Sequence, residues 1–254
     1  MNDTLHESLR VLINEVGSNQ LADIYHTVWG ERRALDVLPV ISRDELFGSP
    51  LASRRYKSAS SLVKIFHVGE KTFLSEWAYE DVAREQFGTE TKRPMVYLSD
   101  NAESIEKSMW CYERGMVPLI GEVHNPAAAV AMAKKYQIDS LITDELSLER
   151  FRPFFGDCPY TLTSISIIGP QFTIARIQWV LPYAKEVRLV LTLPETGAFA
   201  RAKLEVNPVF SPLPRCDIET VGETLVLTKQ DSLVTPIIRY DTAISSKSVR
   251  IQNA

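Results

Sequence analysis

The run Val190-Leu191-Thr192-Leu193-Pro194-Glu195-Thr196-Gly197-Ala198-Phe199-Ala200 leads out of an apolar strand straight into an acidic residue and a glycine. Open α/β sheets gather ligands beyond the carboxyl ends of their strands, which makes Glu195 a candidate site residue. An ordinary turn would hold the same residue types. The four histidines are scattered. His67 falls at a strand end and His124 just before a helix start, but neither has a supporting partner in the sequence, and a packed or solvated role accounts for both. No GxxxxGK[ST] loop, GxGxxG turn, HExxH helix or GxSxG elbow occurs, so the commonest phosphate, metal and nucleophile signatures are missing. Cys111, Cys158 and Cys216 are odd in number, far apart and never in a CxxC pair, which excludes a disulfide framework and a structural zinc site and leaves small buried thiols. Trp77, Trp110 and Trp179 with Phe154 and Phe155 could line an aryl or acyl pocket; filling the core is the simpler role for them.

The chain has 254 residues, 45% hydrophobic and 24% charged, enough for a substantial core. A formal net charge of −4, with no Lys/Arg cluster, offers no field for a phosphate backbone, so nucleic acid is excluded as a partner. The opening residues MNDTLHESLRVLINEVG are amphipathic and acidic, and no run approaches the roughly 18 apolar residues of a membrane span. The expectation is a soluble cytoplasmic protein with no membrane partner.

Leu5, Leu9, Leu12, Ile13 and Val16 recur at helical spacing over 4–16, and Leu21, Ile24, Tyr25 and Val28 over 20–29. An extended segment follows, with Ser42 placed as an N-cap before Arg43-Asp44-Glu45-Leu46 and with Gly48 and Pro50 as stops. From Leu62 strands and helices alternate: LVKIFHV, a turn at Gly69-Glu70, TFLSEW, a helix over 78–87, and MVYLS at 95–99. A helix from Glu103 to Arg114 follows, then MVPLIG, a helix opened by Pro126, and the strands SLIT, TSISIIG and VRLVLT. The helix PAAAVAMAKKY offers a small-residue face for close packing on a sheet or for a partner. Beyond Gly197 the chain is strand-rich, with a hairpin around Val221-Gly222. These periods imply an α/β fold, a largely parallel sheet flanked by helices and followed by a smaller antiparallel β-rich subdomain. The organisation expected is one domain over 1–254: a helical entry region (1–60), an α/β core (61–200) and the β-rich subdomain (201–254).

Three stretches together resemble the adenylate-forming acid ligases, and within them the phenylacetate-CoA ligase branch. GETLVLTKQDSLVTPIIRYDTAI is similar to the family's Gly-Glu-Leu-Val strand leading to Pro-x-Ile-Arg-Tyr-x-Thr-Gly-Asp, through Gly222, Glu223, Pro236, Ile238, Arg239, Tyr240 and Thr242. LTLPETG resembles the Tyr-Gly-x-Thr-Glu-x-Gly segment, with Glu195 and Gly197 matching while Leu191, Thr192 and Pro194 depart. ALDVLPVISRDELFGSP resembles the Leu-Pro-x-x-x-Lys-x-Asp-Leu entry, and EKSMWCYERGMVPLIG the helix–Gly–strand unit after it. The resemblance implies ATP and Mg²⁺ as cofactors, Glu195 as the metal-holding catalytic carboxylate, and Gly197, Arg239, Tyr240 and Asp241 about the nucleotide.

The departures point elsewhere. Where the family wraps ATP phosphates in a Ser/Thr/Gly-rich loop, this chain reads KIFHVGEKTFLSEWAYED: Gly69, Lys71 and Thr72 survive as candidates, the loop is short, and Glu70 adds a negative charge. The aspartate that would hold the ribose hydroxyls falls at Ile244, three residues from Asp241, and the chain ends at Ala254, soon after the motif. The family's lysine-bearing domain would follow there; Lys247 is present without that context. The expected function is a degenerate relative without ATP-dependent ligase activity, which binds a small acyl or aryl carboxylate or a protein partner. The alternative is an ATP/Mg-dependent acid–CoA ligase needing a separate lysine-bearing domain.

Overall fold

The computed structural model describes residues 40–48, 61–78, 91–157, 160–229 and 237–252. The helices expected over 4–16 and 20–29, all but the first residue of that over 78–87, and Cys158 and Pro236 lie outside the described residues. In chain order the first elements are helix α1 (Arg43–Phe47) and strands β1 (Ser61–Val68), β2 (Lys71–Ala78) and β3 (Pro94–Tyr97). Then come α2 (Asn101–Glu113), β4 (Leu119–Ile120), α3 (Pro126–Tyr136), β5 (Ser140–Thr143), α4 (Glu145–Asp157) and β6 (Leu162–Gly169). A short helix α5 (Ile174–Ile177) and a 3₁₀ turn lead to β7 (Ala184–Leu193), β8 (Gly197–Lys203) and β9 (Val209–Pro212). The last strands are β10 (Cys216–Val221), β11 (Thr224–Lys229), β12 (Ile237–Ser245) and β13 (Arg250–Ile251).

The chain divides into two compact units that interleave along the sequence. One holds the described residues up to 78 with Pro194–Thr196 and Pro214–Ser248; the other holds those of Val82–Leu193, Gly197–Leu213 and Val249–Ala254.

The second unit is the α/β body. Its eight-stranded sheet runs β13-β9-β8-β7-β6-β5-β3-β4, parallel from β7 through β4 and antiparallel at β7–β8 and β8–β9. Its central strands are buried on both faces because helices flank the sheet: all four residues of β5 are buried, Ser140 and Thr143 included, as are Ile165, Ile167 and Ile168 of β6. Burying each such isoleucine contributes about 1.5–3 kcal/mol. Each major helix starts at an acidic or amide cap. The Asp100 carboxylate accepts from the Glu103 N–H at 3.0 Å, the Asn125 side chain from the Ala128 N–H at 3.1 Å, and Asp144 from the Ser147 N–H at 2.8 Å. Between β4 and β3 only glycine fits at position 121, since a Cβ there would stand 2.4 Å from the Tyr97 ring.

The first unit is antiparallel. Although the alternating pattern places LVKIFHV and TFLSEW at the start of the βα series, β1 and β2 form a two-stranded hairpin of their own. The register runs unbroken from Ser61↔Ala78 to Val68↔Lys71, so the turn consists of Gly69 and Glu70 alone, with Gly69 in the left-handed region at φ 59°. β10, β11 and β12 make a three-stranded sheet, and the hairpin expected at Val221-Gly222 is present. The segment beyond Gly197 is split between the units: β9 and β13 join the large sheet.

Helix α1 is fixed at both ends of its first turn. The Ser42 hydroxyl accepts from the Glu45 N–H while the Glu45 carboxylate accepts from the Ser42 N–H at 2.7 Å, a reciprocal capping box. Ile41 lies along β12: its N–H donates to the Arg239 carbonyl and its carbonyl accepts from the Asp241 N–H, both at 2.9 Å. Phe47 packs edge-on against Phe66 and Tyr240 at 5.7 Å, and Phe66 stacks on Phe73 at 5.4 Å.

Candidate functional site

Because Ile41 is tied to β12 and the capping box starts α1 immediately afterwards, Arg43 is delivered to the side of Tyr240. Glu195 reaches the same place from the turn Pro194–Thr196, which two buried donors hold: the Ser75 hydroxyl to the Glu195 carbonyl at 3.1 Å and the Lys229 ammonium to the Thr196 carbonyl at 2.8 Å. The three side chains meet on one oxygen. Glu195 Oε1 accepts from Arg43 Nε at 2.8 Å, pairs with Arg43 Nη2 at 2.6 Å, and accepts from the Tyr240 hydroxyl at 2.6 Å. The Glu195 side chain is fully buried, Tyr240 likewise, and the Arg43 side chain keeps 18% of its surface. Glu195 Oε2 is buried and has no hydrogen-bond partner among the described residues.

The cluster is electrically self-consistent. Burial pushes the Tyr240 phenol far above its ordinary value and the neighbouring Glu195 charge pushes the same way, so the hydroxyl stays a donor. Burial pulls the Arg43 guanidinium down, but the Glu195 charge and hydrogen bond outweigh it and the net shift is upward. The guanidinium is a permanent cation beside a carboxylate that has no route to water.

A cleft of about 310 Å³ lies alongside, lined by Ser42, Arg43, Asp44 and Lys71 with Asp241 and Ala243 at the β12 end. Lys71 pairs with Asp44 at 2.5 Å, both exposed. Asp241 accepts from the Ala243 N–H at 2.8 Å, which holds Ala243 at φ 57°.

Of the residues singled out from the sequence, Glu195 and Tyr240 are in direct contact and Asp241 lines the cleft. Arg239 is engaged elsewhere: its guanidinium grips Glu219 through two bonds of 2.7 and 3.0 Å while its own φ is 46°. Gly197 opens β8 with φ 69°, opposite Leu193. Lys71 lines the cleft, and Thr72 meets His67 Nδ1 at 3.0 Å. Ile244 is buried, and Lys247 pairs with Glu223. Phe154 and Phe155 pack into the aromatic core of the second unit with Phe151, and the Trp179 indole donates to Glu149 at 2.8 Å. Sequence reasoning missed Arg43, Ser75 and Lys229. Only Arg43 left a signal: it is the basic residue of the entry segment ending at Leu46, directly after the cap at Ser42.

The donor set at Glu195 suits a guanidinium and not a hydrated Mg²⁺. One oxygen is saturated by a cation and a phenol, the other is sealed from solvent, and among the described residues no group of three His, Cys, Asp or Glu side chains could hold a metal. Two unit charges 4 Å apart interact by about 4 kcal/mol at an effective dielectric constant near 20, so a divalent ion sharing this carboxylate with Arg43 meets repulsion of that order for each unit of charge.

No family model and no curated protein matches the sequence. Solved structures do match. A 2-hydroxyisobutyryl-CoA ligase in the postadenylation state with 2-HIB-AMP aligns at TM-score 0.71 and 11% identity, covering 94% of this chain and 62% of that one. The Klebsiella oxytoca NpsA N-terminal subdomain in complex with 3-hydroxybenzoyl-AMSN aligns at 0.53 and 14% identity, covering 80% and 56%. The o-succinylbenzoate coenzyme A synthetase of Bacillus subtilis in complex with AMP aligns at 0.55 and 8% identity, covering 67% and 40%. The chain therefore spans less than two thirds of the length of these proteins, and what it shares with them is the mixed α/β fold of the N-terminal part of adenylate-forming ligases.

Proposed function

We propose that this protein is a degenerate member of the adenylate-forming ligase group, similar in its motifs to the phenylacetate-CoA ligase branch, and that it binds a small acyl or aryl carboxylate without activating it by ATP. The observation that carries this reading is the β1–β2 turn. Where the resemblance places the phosphate-wrapping loop, ladder pairing continues to Val68↔Lys71 and leaves only Gly69 and Glu70 between the strands. Cradling a triphosphate takes a run of backbone N–H groups around the anion. A two-residue turn supplies too few, and one of the two residues is acidic. Adenylation depends largely on positioning and charge neutralisation, so losing the cradle removes much of the machinery. The neighbours' ligands, an acyl adenylate and an aryl adenylate analogue, support a small carboxylate as the ligand class.

Calorimetric titration with ATP and Mg²⁺ tests the reading: no saturable heat is expected at millimolar ATP. Saturable binding would overturn it in favour of an ATP/Mg-dependent acid–CoA ligase completed by a separate lysine-bearing domain. The gathering of Arg43, Lys71 and Asp241 on one cleft is the observation on that side.

A further inference from the structure

The resemblance implies a divalent cation at Glu195, and the contacts of that side chain support something else. The carboxylate already has a cation: Arg43 approaches Oε1 through two nitrogens at 2.8 and 2.6 Å, and Tyr240 donates to the same oxygen at 2.6 Å. The one lone-pair-bearing atom left over, Oε2, is closed to solvent, and Mg²⁺ sheds its waters reluctantly and usually keeps several. A guanidinium, by contrast, carries no tightly held hydration shell, and here two of its nitrogens converge on the same oxygen, Oε1. Arg43 is held in place by backbone as well as by charge, since the capping box at Ser42 and the Ile41 bridge to β12 fix its position in the chain.

We propose that Arg43 is the built-in counter-ion of Glu195, occupying the carboxylate against divalent cations, so that the site works without metal. Arg43 is thus a positioning residue whose charge stands where the resemblance implies an added ion. The inference stands apart from the question of ATP binding: nucleotide binding in the absence of metal would overturn the proposed function and leave this inference intact.

The test uses Mn²⁺ as the probe, followed by the loss of its free-ion paramagnetic signal. The wild-type protein is expected to leave the signal unchanged at millimolar Mn²⁺ and to melt at the same temperature in Mg²⁺ and in EDTA. Arg43→Gln is expected to gain a single Mn²⁺ site that the Arg43→Gln, Glu195→Gln double variant loses, and Arg43→Lys to keep the ion out. A gained metal site is not a result that a merely structural arginine would produce. Stoichiometric Mn²⁺ binding by the wild type that Glu195→Gln abolishes overturns the inference, as does a folded Arg43→Gln that still excludes the ion. Should Arg43→Gln fail to fold, the wild-type and Glu195→Gln titrations decide the matter alone.

Discussion

The two units bury charge in different settings: the α/β unit seals the Lys107–Glu106 pair within helix α2, between neighbours in sequence, while its sheet core is mainly apolar. In the α/β unit the central strands and the α4 helix contribute Leu141, Ile142, Phe151, Ile165 and Ile167, all nearly or wholly inaccessible and all apolar. In the antiparallel unit the centre is partly ionic: Glu195, Arg43, Tyr240, Ser75 and Lys229 are tied to one another or to backbone carbonyls. An apolar core tolerates rearrangement among similar shapes, whereas a buried ion pair is stable only while both partners are present. The first kind of core supports the sheet, and the second fixes one geometry at one carboxylate.

The largest effect that would separate the two is a core deletion in the apolar unit. Phe151 lies 4.9 Å from Phe154 and 5.1 Å from Tyr97, fully buried. Phe151→Ala is expected to cost about 3–5 kcal/mol, read as a lower urea midpoint, with a cost that does not change with added salt. Next comes Glu195→Ala, which leaves the Arg43 charge and the Tyr240 hydroxyl without their shared acceptor. A cost near 3 kcal/mol is expected, about the lower end for breaking a buried pair because Arg43 keeps some solvent. If the Arg43→Ala, Glu195→Ala double variant loses as much as the two single costs summed, the cluster is not coupled and the contrast between the units fails.

The apolar unit was the more legible of the two because its strands advertise burial on both faces. SLIT, TSISIIG and VRLVLT all sit in the sheet, and the helices around 103–114 and from Pro126 stand where their periodicity and caps place them. Helix α4 escaped the pattern: Glu149, Arg150, Arg152 and Pro153 interrupt it, yet Leu148, Phe151 and Phe155 hold one buried stripe at spacings of three and four. In the antiparallel unit, strand periodicity marked β1 and β2 correctly but could not say which partner each takes, and the two-residue turn decides that. Of the ionic cluster, Glu195 and Tyr240 were visible through motif resemblance. Arg43 lies 152 positions from Glu195, and no local rule links a basic residue at the start of a five-residue helix to a distant turn.

Tyr240→Phe sharpens the comparison by removing one donor while leaving shape and charge. Loss of a hydrogen bond to a carboxylate is expected to cost about 1.5–3 kcal/mol. It also carries a pH signature. The folded phenol titrates above its ordinary value of 10.0, so the folded state holds a proton that the unfolded chain releases. The stabilisation from this group is therefore complete below pH 10 and declines as the pH rises above it. The wild-type urea midpoint should fall more steeply than that of Tyr240→Phe between about pH 9 and 11. Parallel slopes would mean that burial beside Glu195 does not hold the phenol protonated.

The smallest effect marks where the ionic character of this unit ends. Lys71 and Asp44, both lining the cleft, stand 2.5 Å apart, but their side chains keep 64% and 59% of their surface. Coulomb attraction there works through water and is offset by the entropy of holding a lysine in one rotamer, so Lys71→Ala is expected to cost at most about 1 kcal/mol, less in high salt. The same substitution opens the cleft and removes one of its two lining cations. A cost of several kcal/mol that persists in high salt would place Lys71 inside the coupled cluster, making the polar core of this unit larger than the Arg43–Glu195–Tyr240 contact.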